Sequence, residues 1–111
     1  MNIDELTIGQ VKAINALGIN ATPEKVFVIG ESVLIRTVTM FWIGTVVKET
    51  DRFVYLSPAA WVADTGRFAD CLAKGELSEV EPVTTGHVER IAIGAIVDVS
   101  VWSHAVPTAQ K

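Results

Sequence analysis

The sequence predicts a mainly β domain: a small, strongly bent five-stranded barrel with an N-terminal helix. Three observations predict it. Residues 30–58, GESVLIRTVTMFWIGTVVKETDRFVYLSP, hold three runs rich in Val, Ile, Thr, Phe, Trp and Tyr, at 32–40, 41–48 and 53–56. Two further runs follow at 87–93 and 96–102. Within the long region Val33, Ile35, Phe41, Ile43 and Val47 share one parity, while Leu34, Val38, Met40, Trp42 and Val46 share the other. Both faces are therefore apolar, and a flat sheet with one wet face does not satisfy that pattern.

Taken in order, residues 6–18 read as an amphipathic helix. Thr7 and Gln10 form a capping box, Ile8, Val11, Ile14 and Leu17 an apolar stripe, and Gly18 a stop. Residues 21–25 turn at Pro23, and 26–29 lead into the strands. Glu49-Thr50-Asp51-Arg52 is a polar break of hairpin length between the second and third runs. Ser57-Pro58 has the order of an N-cap followed by proline at the first helical position, so a helical turn is expected over 59–63. A second helix is expected over 67–74, with Phe68, Cys71 and Leu72 on one face and Gly75 closing it. Residues 76–82 are acidic. The last two runs are expected to form a terminal hairpin meeting at Gly94. In it Val97, Val99 and Val101 alternate inward against Asp98 and Ser100 outward.

Composition bounds the function. At 111 residues, 50% hydrophobic and 20% charged, the chain is expected to be a single domain with a modest core. No apolar stretch reaches the roughly 20 residues of a membrane span. With a mean hydropathy of +0.38, the apolar excess points to subunit interfaces. The N-terminus has neither the basic nor the apolar region of a signal peptide, and Cys71 is the sole cysteine; both lead to the expectation of a cytoplasmic protein. A net charge of −4 with 9 scattered Lys and Arg argues against a broad phosphate-binding surface.

No constellation predicts an enzyme, a cofactor or a metal. His87, His104 and Cys71 lack ligand spacing. Cys71 reads as packing rather than as a nucleophile. Asp98 and Glu89 could face one another across the terminal hairpin as an acid/base pair, but solvated strand faces carry such residues routinely. Trp42, Trp61, Trp102, Phe41, Phe53 and Tyr55 could stack on bases; without basic neighbours they read as core and subunit contacts.

The order of elements, with Gly30-Glu31-Ser32-Val33, Ile35, Gly44-Thr45-Val46, Phe53-Val54-Tyr55-Leu56 and the later Ile91-Ala92-Ile93-Gly94-Ala95-Ile96-Val97, resembles the Sm-like family. The resemblance covers about 5–56 and 87–102, and leaves 57–86 as a helical insertion between strands three and four. A fainter likeness is to short proteins of tailed phages. The family resemblance implies an Sm-like barrel and a homo-oligomeric ring, closed by pairing strand four of one subunit with strand five of the next. It also raises RNA or single-stranded nucleic acid as an alternative partner. Residues carried over for that role are Asp51 and Arg52 in the turn after strand two, and Arg90. The pattern departs where the family places an Asn in that turn and an Arg before the second glycine, since Ile93 precedes Gly94 here. The family's base pocket is therefore not carried over intact.

Overall fold

The structure, a computed structural model, describes residues 26–111; the expected N-terminal helix lies outside them. Six strands and one helix follow in order: β1 Ser32–Thr37, β2 Phe41–Glu49, β3 Phe53–Asp64, α1 Phe68–Lys74, β4 Glu79–Pro82, β5 Glu89–Ala92 and β6 Ile96–Val101. A single 3-10 turn, Ile93–Ala95, links the last two.

The antiparallel sheet has the order β4-β3-β2-β1-β6, with β5 on the same edge of β3 as β4, nearer its start. The expected terminal hairpin does not form. β5 pairs with β3 and β6 pairs with β1, at opposite ends of the hydrogen-bonded path. Because three residues join those ends, the sheet must curl to bring them together, yet it stays open between β5 and β6. The sheet-dominated fold is thus as expected, with six strands in place of five.

Both faces of the sheet are buried, as the double parity requires. One core contains Phe27, Val33, Ile35, Val46, Val54, Leu56, Ala59 and Ile91. The other contains Leu34, Ile43, Ala60, Val62, Cys71, Leu77, Val80 and Trp102. Parity does not run unbroken from β1 to β2. Leu34 lies opposite Ile43 and Ile35 opposite Trp42, so the turn at residues 38–40 exchanges odd for even. Thr37 fixes that turn, its hydroxyl accepting from the Met40 N–H at 3.2 Å.

β3 is the element local reading truncates. Instead of a helical turn over 59–63, the strand continues to Asp64. Ala59, Ala60 and Val62 are buried; all three pair with β2 on one side, and Ala60 and Val62 pair with β4 on the other. Two ladders and two packed faces outweigh a cap-like dipeptide and alanine's modest helix preference. Pro58, which has no N–H for a ladder, sits where the β2–β3 register shifts between Gly44 and Val46.

The helix α1 ends as expected on Gly75, which is left-handed at φ 72° and donates its N–H to the Cys71 carbonyl. Cys71 faces the second core, while Phe68 is 45% exposed. The apolar face expected of this helix is therefore only partly used. The acidic stretch after it becomes β4, anchored by Leu77 and Val80. Lys111 exchanges both backbone hydrogen bonds with Val80, at 2.9 and 3.1 Å, and covers that part of the sheet edge.

In β6 the inward valines are corrected too. Val99 packs on the first core, but Val97 and Val101 are 53% and 62% exposed. Val97 sits at the register break opposite Arg36 and Thr37, and an edge strand covers its side chains from one side only.

Candidate functional site

The turn after β2 carries two of the three candidate residues. Thr50 builds it: its N–H donates to the Phe53 carbonyl at 2.8 Å, and its hydroxyl accepts from the Phe53 N–H at 3.0 Å. Asp51 and Arg52 sit exposed at the tip. The Arg52 carbonyl accepts from the Ile93 N–H at 2.8 Å, tying the tip to the 3-10 turn.

Arg90, the third candidate, lies on β5 directly opposite Tyr55, and Tyr55 lies opposite Lys48 on β2. Lys48, Tyr55 and Arg90 thus form a row across three strands. The Lys48 ammonium stands 5.2 Å from the centre of the Tyr55 ring. The Arg90 guanidinium lies 4.9 Å from that of Phe53, its diagonal neighbour. The structure brings Arg52 and Arg90 to the same end of the sheet and adds Lys48, Phe53 and Tyr55, which sequence reading did not assign to a site. For Phe53 and Tyr55 the stated lack of basic neighbours is overturned. The signal lay in strand alternation: Val54 and Leu56 go inward, which turns Phe53 and Tyr55 outward.

The other aromatic residues separate. Trp102 is buried, its Nε1–H donating to the Ala105 carbonyl at 3.0 Å. Trp42 and Trp61 are opposite one another on β2 and β3, and Glu81 of β4 is opposite Trp61. This second row lines an open cleft of about 540 Å3 together with Met40, Pro82 and Val83.

The Asp98–Glu89 pair is not assembled, because β5 and β6 are not neighbours in the sheet. Asp98 instead accepts from the Arg36 guanidinium, from Nε at 3.0 Å and also from an Nη. That hydrogen bond, with the positive charge behind it, holds the Asp98 carboxyl below its ordinary range. Glu89 pairs with His87 Nε2 at 3.0 Å. His104 caps the helix end, its Nε2 2.8 Å from the Leu72 carbonyl. Burial pushes the Cys71 thiol up, away from thiolate chemistry. Among the described residues no group of three or more His, Cys, Asp or Glu is placed to hold a metal ion, and no helix is long and apolar enough to cross a membrane.

No protein-family model, curated protein or solved structure matches the chain significantly.

Proposed function

We propose that the protein is a structural or binding module that works as a homo-oligomeric ring, with an Sm-like barrel as its repeating unit. One observation carries the reading. Among the described residues, β5 pairs only with β3 and β6 only with β1, which leaves each with one edge open to another chain. Val88, Val97 and Val101 are exposed apolar side chains beside or on those strands. Open strand edges with apolar flanks associate unless covered, and pairing β5 of one subunit with β6 of the next covers both.

Light scattering tests it. The expected mass is a fixed multiple of 12.0 kDa at micromolar concentration. The double variant Val97→Lys/Val101→Lys should reduce that mass to one subunit without unfolding it. A wild-type monomer at micromolar concentration overturns the ring.

The Lys48–Tyr55–Arg90 row favours a second reading, in which the same module binds RNA or single-stranded DNA. Cations set over outward aromatic rings suit a strand whose bases stack while its phosphates are neutralised. Filter binding of a uridine-rich oligonucleotide tests this reading, which fails if retention is unchanged in a Tyr55→Ala/Arg90→Ala variant.

A further inference from the structure

A second surface on the same sheet has a different chemistry. Trp42, Trp61 and Glu81 stand in register across β2, β3 and β4. Trp61 and Met40 are each 36% exposed, so the apolar floor of the cleft is open to solvent. Pro82 and Val83 form its side. Among the described residues Glu81 is its one carboxylate, and neither Lys nor Arg lines it. The cleft does not end there. Pro82, Val83, Thr84 and His87 also line an adjoining hollow of about 390 Å3 that runs on toward Pro58 and Pro107. The site is thus elongated and shallow, paved with indole rings, and negative at one place along its length.

We infer that this cleft binds an extended, proline-containing peptide segment of a partner protein, with a lysine or arginine of that segment at Glu81. Proline-rich chains hold the polyproline II conformation before they bind, so they lose little entropy on docking. Their rings pack flat on aromatic side chains lining a groove. The carboxylate beside Trp61 supplies charge complementarity for a cation, and the indole face attracts the same group. Elongation and openness favour a chain segment over a small molecule, because an enclosed pocket would bury most of a small ligand and this cleft does not. The inference concerns the subunit itself and does not depend on ring closure.

Tryptophan fluorescence tests it directly. Trp102 is buried and hydrogen-bonded, so a peptide-induced change reports on Trp42 and Trp61. The probe is a synthetic polyproline peptide of about ten residues ending in arginine. Its companions are the same peptide ending in glutamate, and a Gly/Ser peptide ending in arginine. The arginine polyproline peptide should give a saturable change. Binding followed by calorimetry should weaken about tenfold in Trp61→Ala and severalfold in Glu81→Gln, and both companions should bind less well. Glu81→Gln keeps the test decisive should Trp61→Ala fail to fold. The inference is overturned if no saturable change occurs up to millimolar peptide, or if Glu81→Gln binds as wild type. Equal binding of the Gly/Ser peptide also overturns it. So does a folded Trp61→Ala whose only defect is a smaller assembly mass, because the cleft would then be a contact between copies of this chain.

Discussion

Gly44 lies so close to Pro58 that a Cβ on Gly44 would stand 2.8 Å from the Pro58 carbonyl oxygen and 2.7 Å from Leu56 Cβ. Here the β2–β3 register shifts, and only a residue without a side chain lets the backbones approach so closely. Gly44→Ala should therefore destabilise the fold by about 1–3 kcal/mol, the usual cost of overpacking. At Gly94, where the sequence pattern has the last two strands meet, a Cβ would have nothing within 4 Å. Gly94→Ala should be close to neutral. Urea denaturation of the two variants checks the contrast.

Arg36 and Asp98 join β1 to β6 in the open, with side chains 47% and 49% exposed. The folded-state pKa of Asp98 is depressed. Its stabilising contribution is therefore present above the unfolded value of about 4 and lost as pH falls through the lower folded value. Melting curves of wild type and Asp98→Asn should differ at neutral pH and low salt, then converge on acidification. Because the pair is solvated, the difference should also shrink in high salt. A gap that widens below pH 4 contradicts this assignment.

Phe68 opens α1 and Leu77 follows it, and the two carry unequal weight. Phe68 is half-exposed and meets Phe41 at 6.4 Å between ring centres, so Phe68→Ala should cost about 1 kcal/mol rather than the 3–5 of a buried aromatic. Leu77 is 6% exposed within the second core, and Leu77→Ala should cost about 2–5 kcal/mol. Denaturant midpoints rank the two. Equal losses mean that the helix holds the region down as firmly as the segment after it.

On β6, Val99 and Val101 share a parity and differ in burial. Val99→Asp should destabilise the subunit, since an unpaired charge would enter the first core. Val101→Asp should leave the subunit's melting temperature nearly unchanged and act on assembly mass instead. Loss of folding in both variants shows that the edge is packed within the subunit.

Should the nucleic-acid reading hold, each cation removed from the row lowers the salt dependence. Lys48→Ala and Arg90→Ala should each reduce the slope of log affinity against log salt by about 0.7, the single-strand value per phosphate contact. Binding curves at several salt concentrations measure it. Weakened affinity with an unchanged slope means that the side chains do not meet phosphates.

Local physics made much of the framework legible. β-branched and aromatic runs marked β1, β2, the start of β3, and both β5 and β6. Glu49-Thr50-Asp51-Arg52 marked the turn between β2 and β3, and Gly75 the end of α1. Two-sided hydrophobicity required cover on both faces, and two cores provide it. Arg52 and Arg90 were named as candidates, but Lys48, which completes the row of Tyr55 and Arg90, was not.

Everything else depended on partners distant in the chain. Whether residues 93–95 make a hairpin or carry the backbone from one end of the sheet to the other is decided by β3 and β1, which pair with β5 and β6. Ser57-Pro58 followed by alanines has the local signature of a helix start, and only the ladders on both sides make it a strand. The same holds for Glu79–Pro82, whose acidic sequence lacks strand character until Trp61 and Val62 pair with it. Sequence alone determined which residues prefer extended backbone and which faces must be dry, because those are nearest-neighbour properties of the chain. The tertiary structure alone decided which strands meet, and so placed Tyr55 between two cations and Trp61 between a tryptophan and a carboxylate. Strand pairing is a long-range interaction that period-two alternation does not encode.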